Sequence, residues 1–584
     1  MRVAVVSGPG QSGLLRELNE DGSPTGNAVA VTDVVAAIRE YEANAEVRWV
    51  WPWADGTYQR LLESGVRVAR CHDITLADSL ILGRDAALGI TAPRAAAASA
   101  RAVLQAAAAA DATQNAQAGE QQGLFDVAEA GAPERPDPRA VLDALIEVHG
   151  DQLRRIAADE HPDRFGLLVT AESAGALVAA EMSLAGLPWR ADVHDALLTD
   201  LLGPRPAVPG QRPARLADLA GRVADAFGAT ATAARHLAVN PDSPAQLLQA
   251  LAADGIRLPS TRLAVLKNVD HPAIAPLLEY KELARLHSAF GWSWLDTWVR
   301  DGRFRPEYVV GGVVSGRWAS RGGGALQIPR LLRRAVVADP GWVFVVADAA
   351  QLEPRVLAAL ADDRAFAAAA SAGDLYAELA AAFGGDRAKA KVAMLSAMYG
   401  GAGGEAGQLL AVLRKRFPAA SGYVEAAARA GEEGRVVRSV LGRTCPPPSA
   451  NWRALTEEAA DPDSERDPGA GRASRARGRF TRNFVVQASA ADWALVMLVS
   501  LRAALANTAL ANTAQAITAS ATHRPQLVFF QHDEVIVHCP AEQADEVVDA
   551  VVRAASAAAR LVFGDTRVAF PLSTRVVDCY ADAK

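Results

Sequence analysis

In the opening region, short apolar runs alternate with turn signals. VAVV, VRWVW and ITLADSLIL are separated by glycine, proline and aspartate, which predicts a small α/β unit with a short mixed sheet over residues 1 to about 105. From about Ala106 to Arg139 the text becomes AAAAADATQNAQAGEQQG and then GAPERPDPR, a polar, proline-bearing stretch predicted to be an insert or linker. Between about Val141 and Trp298 the apolar spacing is helical, most clearly in LVAAEMSLAGLP, PAQLLQALAADGI and PLLEYKELARLHSAF. Beyond Tyr308, strand-like runs such as WVFVVAD and LVFFQHDEVIVHC stand between long helical stretches. Two further inserts are expected, one around Asp461 to Gly471 and one over the Ala/Thr run Ala503 to Ala521, the second reading equally as a lengthened helix. No internal repeat is present.

Length changes this picture by ruling out one core. At 584 residues, with domains of about 100 to 200 residues each, three to five compact units are expected. The net charge of −7 argues against a generally basic nucleic-acid binder, so local basic patches carry that question. The cysteines Cys71, Cys445, Cys539 and Cys579 form no C-x-x-C pair, which excludes a zinc ribbon or disulfide framework and fits a reducing cytoplasm. No apolar run reads as a membrane span, and MRVAVVSGPGQSG lacks the charged and long apolar parts of an export signal.

Candidate chemistry is acidic. The run Val343 to Ala347 is an apolar strand that ends in Asp348, and QLEPRVLAALADD then starts a helix. LVFFQHDEVIVHC places Gln531, His532, Asp533 and Glu534 between two apolar runs, as a β-hairpin turn would. Phosphoryl transfer by two hard cations needs carboxylates from different elements converging on one site, and Asp348 and Asp533 are candidates. Each also fits a plainer role, as a helix cap or ordinary turn residue. In DRAKAKVAMLSAMYGG, Arg387, Lys391, Leu395 and Tyr399 recur every four residues, giving a helical face half cationic and half apolar that Gly400 ends. Alone it reads better as a solvated, charged helix end.

Together these segments resemble the family A DNA polymerases, in order, over roughly the last 400 residues. VVADAAQLEPRVLAAL is similar to the first palm motif, RAKAKVAMLSAMYG to the fingers helix and FFQHDEVIVHC to the last palm motif. SGRW, LQIP and RFTRNFVVQASAAD are similar to further segments, and LLEYKELARLHSAF to the thumb helix. The resemblance implies an α/β multi-domain (α+β) protein, an RNase H-like exonuclease-type domain followed by a right-hand polymerase with palm, fingers and thumb. Its implied bounds are residues 1–165 for the exonuclease-like domain with a linker at about 106–140, 166–310 for the helical thumb region, and 311–584 for palm and fingers, the fingers at about 364–475.

By position, the resemblance implies that Asp348 and Asp533 bind two Mg2+ ions, Mn2+ being the alternative, with Glu534 supporting the primer end. Arg387 and Lys391 would hold the triphosphate, Lys391 also protonating the leaving pyrophosphate, with Gln351 and Leu395 around the nucleotide. Glu353 and Tyr399 would exclude a 2′-hydroxyl, and Arg317, Arg479, Asn483, Gln487 and His532 would contact the minor groove of primer-template DNA, where readout is degenerate. The implied partners are primer-template DNA and deoxynucleoside triphosphates, with no membrane, for a monomer working in replication or repair in the cytoplasm, beside the nucleoid. No flap-nuclease domain is expected ahead of it.

Three departures modify the expectation. Leu395 stands where an aromatic residue is usual, Ala349 and Ala350 replace a Tyr-Ser pair, and Pro354 must fall within the first turn of its helix to be tolerated. The amino-terminal stretch YQRLLESGVRVARCHDITLADSLIL resembles the 3′-5′ exonuclease, yet VAVVSGPGQSG offers no acid and Thr57 stands in place of an aspartate, so an inactive domain is expected, with Asp73 structural. Gly8, Gly10 and Gly13 satisfy G-x-G-x-x-G, but no second strand-helix unit follows, and a dinucleotide site is rejected. The run RASRARGRFTR fits DNA-backbone contact or an exposed insert. A single-subunit RNA polymerase is the nearest rival, countered by the carboxylate Glu353; a DNA-binding scaffold without catalysis is the other, countered by the acids and cations being intact.

Overall fold

A computed structural model describes the chain except residues 55, 91–93, 120–134, 209, 229–238, 372–373, 382–383, 401–410, 412–413, 459–467, 507–523 and 584. It forms two compact units rather than three to five. The first comprises Met1–Ala185, Glu307–Ser320 and Phe344–Val576, and the second Gly186–Pro306, Arg321–Val343 and Val577–Lys584.

The first unit opens on a five-stranded sheet of order β3-β2-β1-β4-β5, formed by Arg2–Ser7 (β1), Gly13–Leu18 (β2), Val29–Val31 (β3), Arg48–Trp51 (β4) and Arg70–Asp73 (β5). β1 pairs antiparallel with β2 and parallel with β4, giving the short mixed sheet that the alternating runs predict. The glycine-rich segment is the turn of the β1–β2 hairpin, with the Gly8 N–H donating to the Ser12 carbonyl at 2.8 Å. A strand follows it, not the helix that the dinucleotide pattern requires. Asp73 is buried and caps the helix Ile74–Leu88, accepting from the Leu76 N–H at 3.0 Å and the Ala54 N–H at 2.6 Å. That is the structural role expected of it.

Helices Val34–Asn44 (α1), Thr57–Glu63 (α2), Ile74–Leu88 (α3), Ala95–Gly119 (α4), Pro138–Ala157 (α5) and Pro162–Ala185 (α6) complete the region. The alanine-rich half of the expected linker is therefore helical, since alanine has the highest helix propensity and Ala100, Leu104 and Ala107 of α4 find a core to enter. Residues 120–134 of that stretch lie outside the described residues. α6 lies against the sheet through Leu177, which shares a core with Trp49, Trp51 and Tyr58.

Two buried histidines, His72 of β5 and His149 of α5, have ring centroids 4.5 Å apart, and neither His149 nitrogen has a hydrogen-bond partner among the described residues. Burial, opposed by the Gln152 hydrogen bond and reinforced by nearby Arg48, pulls His72 down to about 4. Burial, and then His72 itself, holds His149 well below its ordinary value. An unfolded imidazole takes a proton near pH 6.5 and this pair does not, so the unfolded state gains protons as pH falls. Stability from the pair is complete above about pH 6.5 and is lost as pH falls below it, toward about pH 4 for His72. The thermal midpoint should drop steeply between about pH 6.5 and 5, and His149→Leu should flatten that drop; an equal slope in the variant would contradict the assignment.

The carboxy-terminal part of the first unit is built on a four-stranded sheet of order β12-β13-β11-β14. After Glu307–Val309 (β9) and Ala319–Arg321 (β10), its strands are Trp342–Ala349 (β11), Gln526–Gln531 (β12), Glu534–Pro540 (β13) and Leu572–Val577 (β14). Around it lie helices Leu352–Ala361 (α13), Arg364–Ser371 (α14), Leu375–Ala380 (α15), Arg387–Met398 (α16), Pro418–Glu432 (α17), Ala450–Glu458 (α18), Pro468–Ala506 (α19) and Ala544–Phe563 (α20). The arginine run RASRARGRFTR is part of α19 rather than a flexible insert. The inserts expected around Asp461 and over the Ala/Thr run fall largely on residues 459–467 and 507–523, outside the described ones.

Contrary to the expectation from sequence, two helices among the described residues, Pro162–Ala185 and Gly469–Ala506, are long and apolar enough to cross a membrane. Their most apolar windows are 67% and 83% buried, so their apolar surface is spent inside the unit. These helices also explain why the unit is not divided further. Glu181 of α6 pairs with Arg502 of α19 at 2.8 Å, and Tyr58 donates to the same carboxylate, joining the amino-terminal sheet to the carboxy-terminal part.

The second unit is mostly helical, with Ala191–Leu202 (α7), Ala214–Gly228 (α8), Pro244–Ala253 (α9), Leu263–Leu266 (α10), Ile274–Phe290 (α11) and Trp292–Trp298 (α12), and a three-stranded sheet of Leu187–Pro188 (β6), Val299–Arg300 (β7) and Arg303–Phe304 (β8). Trp189, Trp294, Phe290 and Phe304 form its aromatic core, the Trp294 ring tilted against Phe304 with centroids 5.0 Å apart. Gly322 and Gly323 fit against Trp298 and Phe304 at φ of 64° and 60°, where a Cβ would meet ring carbons at 2.0 and 2.8 Å.

Candidate active site

The site grows from the end of β11. Phe344 to Ala347 are buried, and Asp348, the last but one residue of the strand, is partly exposed. Beside it, β12 and β13 form an antiparallel hairpin whose last pair is Gln531 with Glu534, leaving His532 and Asp533 as its two-residue loop. His532 has a φ of 59°, which histidine accepts more readily than a branched residue. The Ala349 N–H donates to the Asp533 carbonyl at 2.9 Å, clipping the loop to the strand end. Asp348 and Asp533 thus line one cavity of about 500 Å3, together with Arg317, Gln351, Glu353, Arg387, Lys391, Leu395 and His532. Glu534 is buried on β13, outside that lining.

The helical spacing read in the sequence becomes α16, capped by Asp386, whose side chain accepts from the Lys389 N–H. Tyr399 is its C-cap and Gly400 follows with a φ of 85°. The Tyr399 hydroxyl donates to Glu353, and Arg317 pairs with the other oxygen of that carboxylate. Burial, then the Glu353 charge, raises the Tyr399 hydroxyl pKa. Burial lowers His532, and Arg317 lowers it further, so its ring is neutral at pH 7.

Between Asp348 and α13 the chain turns through Gln351 at a φ of 58°. Pro354 is the third residue of α13, within the first turn, where no intrahelical acceptor is lost. Arg355, buried, donates to the carbonyls of Ala350, Ala370 and Ala569 at 2.8, 2.6 and 3.0 Å and so fixes that turn. Two of the four non-glycine residues with positive φ among those described, Gln351 and His532, flank the acids. Such backbone costs about 1 to 3 kcal/mol each and persists where the surroundings hold it.

Arg479, Asn483 and Gln487 follow one another on one face of α19. Arg479 packs against Gly400, where a Cβ would meet its Cγ at 3.1 Å, and Gln487 is hydrogen-bonded to Tyr399. The Asn483 Oδ1 has no hydrogen-bond partner among the described residues. None of the three lines the cavity, and neither does Tyr399, which reaches it through its hydrogen bond to Glu353.

Tyr376 and Ser573 line the cavity without having been expected. Burial, then the Glu353 charge, pushes the Tyr376 hydroxyl up to about 12. Asp374, also unexpected, caps α15, binds Arg387 and accepts from Gln351. The signal available was the cap pattern D-L-Y before a short helix, which is too common to single out.

Comparison with known proteins agrees with this geometry. The model of the family "DNA polymerase family A" matches residues 214–577, more than half of the chain. DNA polymerase I of Chloroflexus aurantiacus is 27% identical over 303 residues, 47% of this chain and 29% of that protein. The thermostable DNA polymerase I of Thermus aquaticus is 34% identical over 113 residues, 18% of this chain and 14% of that protein. The matched regions thus span less than a third of either relative. The polymerase domain of Pol1 from M. smegmatis, solved in complex with DNA primer-template and dNTP, superposes with a TM-score of 0.66 at 18% identity, covering 100% of this chain and 95% of that one. At that identity the likeness establishes the fold.

Proposed function

The chain belongs to DNA polymerase family A, and from that premise we propose that it extends a primer 3′ end with deoxynucleotides, directed by a template, through Asp348 and Asp533. One observation carries this reading: the acids of β11 and the hairpin loop share a single cavity with Arg387 and Lys391 of α16. That is the pairing of anionic metal ligands with cationic phosphate ligands that phosphoryl transfer needs.

The lining offers carboxylate oxygens from two clipped backbone segments and no thiol, which suits a hard divalent cation such as Mg2+ or Mn2+. When bound, two such ions supply Lewis-acid activation of the 3′-hydroxyl and neutralise charge on the departing pyrophosphate. Arg387 holds the triphosphate with its planar fork, and Lys391 Nζ, further along the same face, donates a proton to the leaving oxygen. Leu395 gives the base an apolar surface, and Gln351 fixes the turn beneath the sugar. Glu353, held between Arg317 and Tyr399, fills the space a 2′-hydroxyl would enter. Arg317, Arg479, Asn483, Gln487 and His532 contact the minor groove, and Glu534, buried behind the loop, acts on the primer end through its backbone position. The thumb is assigned to the helices within residues 166–310 and the fingers to about 364–475.

The amino-terminal domain is assigned as an exonuclease-like scaffold without nuclease activity. Its β1, RVAVVS, carries no acid, and the Asp73 carboxylate is used in capping. Four unpaired cysteines support a reducing, cytoplasmic setting.

Glu353→Ala tests the sugar assignment. Discrimination between a deoxynucleotide and its ribonucleotide, as a ratio of kcat/KM values, should fall by about 10- to 200-fold, the usual worth of one small steric contact. An unchanged ratio would place sugar selection elsewhere. Incubating labelled primer-template without nucleotides tests the scaffold: the primer should keep its length, and shortening would contradict it.

A further inference from the structure

The phosphate-holding arginine already has an anion. Arg387 Nε donates to the Asp374 carboxylate, and the ring of Tyr376 lies beneath its guanidinium, 5.7 Å from ring centroid to carbon. The same carboxylate accepts from the Gln351 side-chain amide and from the Tyr376 and Ala377 N–H groups, the backbone pair at 3.0 and 3.4 Å. Gln351 is closed back on this segment by accepting from the Leu375 N–H at 3.1 Å. Burial raises the Asp374 carboxyl, but the Arg387 and backbone hydrogen bonds outweigh it and keep the group anionic.

We propose that Asp374 is a positioning residue of nucleotide binding, a resident carboxylate that holds Arg387 until a polyphosphate displaces it. This rests on the assignment of Arg387 to the triphosphate. Asp374 is fixed by a helix cap and cannot follow the arginine, whereas the Arg387 side chain is half-exposed and can swing from carboxylate to phosphate. Polyphosphate therefore meets an arginine already paired, and its affinity is reduced by the stability of that pair. The carboxylate recaptures Arg387 once pyrophosphate departs, so the same contact that weakens substrate binding speeds the clearing of the site. Tyr376 keeps the guanidinium in its plane in either position. The pair is partly solvated, and pairs of that exposure are worth roughly a 2- to 5-fold change in an equilibrium.

Asp374→Asn separates charge from structure, because asparagine caps a helix as well as aspartate does, and Asp374→Ser provides a second uncharged cap if the first variant folds poorly. Binding of inorganic tripolyphosphate to the full chain, by calorimetry, should be roughly 2- to 5-fold tighter in both variants than in wild type. KM for a deoxynucleotide in primer extension should fall by the same factor, kcat moving less than KM, and inhibition by pyrophosphate should strengthen. Unchanged or weaker tripolyphosphate binding in both variants, with binding lost in Arg387→Ala, would overturn the inference and leave Asp374 a helix cap. Equal tripolyphosphate binding by wild type and Arg387→Ala would overturn the assignment of Arg387 itself, and the inference with it.

Discussion

Asp533→Asn should reduce the rate of primer extension by at least about 10³-fold while leaving the protein folded and able to bind primer-template. Lewis-acid stabilisation by a bound cation is worth several kcal/mol, and each 1.4 kcal/mol is tenfold in rate. The amide keeps the size of the side chain in a two-residue loop whose geometry is set by the backbone, through the Asp533 N–H to the Gln531 carbonyl at 2.8 Å and the clip from Ala349. The thermal midpoint should hold or rise slightly, since one of three carboxylates lining a common cavity has lost its charge. Single-turnover extension beside a melting curve checks both parts. A variant that melts early would show that the loop, rather than the carboxylate, has been lost.

Arg443→Ala should produce the largest loss of stability. The Arg443 guanidinium is buried and donates to Glu172 at 2.9 Å and to Asp492 at 3.3 Å, both carboxylates being almost fully buried as well. Burial pushes the Asp492 carboxyl up even with Arg443 beside it. Removing the cation leaves two like charges in the interior, and breaking such a group from one side costs about 3 to 5 kcal/mol. The group lies in the larger unit, where an unfolding entropy of about 2.1 cal/mol/K per residue gives roughly 1 °C per kcal/mol, so the midpoint should fall by roughly 3 to 6 °C. The loop carrying Arg317 leans on this group: a Cβ on Gly316 would meet the Arg443 Nε at 2.2 Å, and one on Gly311 the Glu172 Oε1 at 2.2 Å. Activity should therefore decline before the protein melts. A shift under about 2 °C in thermal unfolding would mean that the carboxylates take up protons or water at little cost.

Legibility in the sequence followed the separation of the partners. Arg387, Lys391 and Leu395 announce themselves because four residues are about one helical turn, and the hairpin loop because apolar runs flank it on both sides. The amino-terminal sheet was readable for the same local reason. Arg443 and Glu172 lie 271 residues apart, and no periodicity connects them. Asp374 was hidden by being an ordinary cap, and α4 by alanine, which reads as low complexity until Ala100, Leu104 and Ala107 meet a core. The unity of Met1–Ala185 with the later palm-like sheet rests on α6 and α19, long apolar helices whose partners are likewise distant in sequence.

The central claim, template-directed deoxynucleotide transfer at Asp348 and Asp533, is tested most directly by extending a labelled primer opposite each of the four template bases with Mg2+, supplying one nucleotide at a time. The account predicts growth by one residue only with the complementary deoxynucleotide, and slow or no growth with ribonucleotides. Tight primer-template binding with no growth under any nucleotide would contradict it and leave a DNA-binding scaffold.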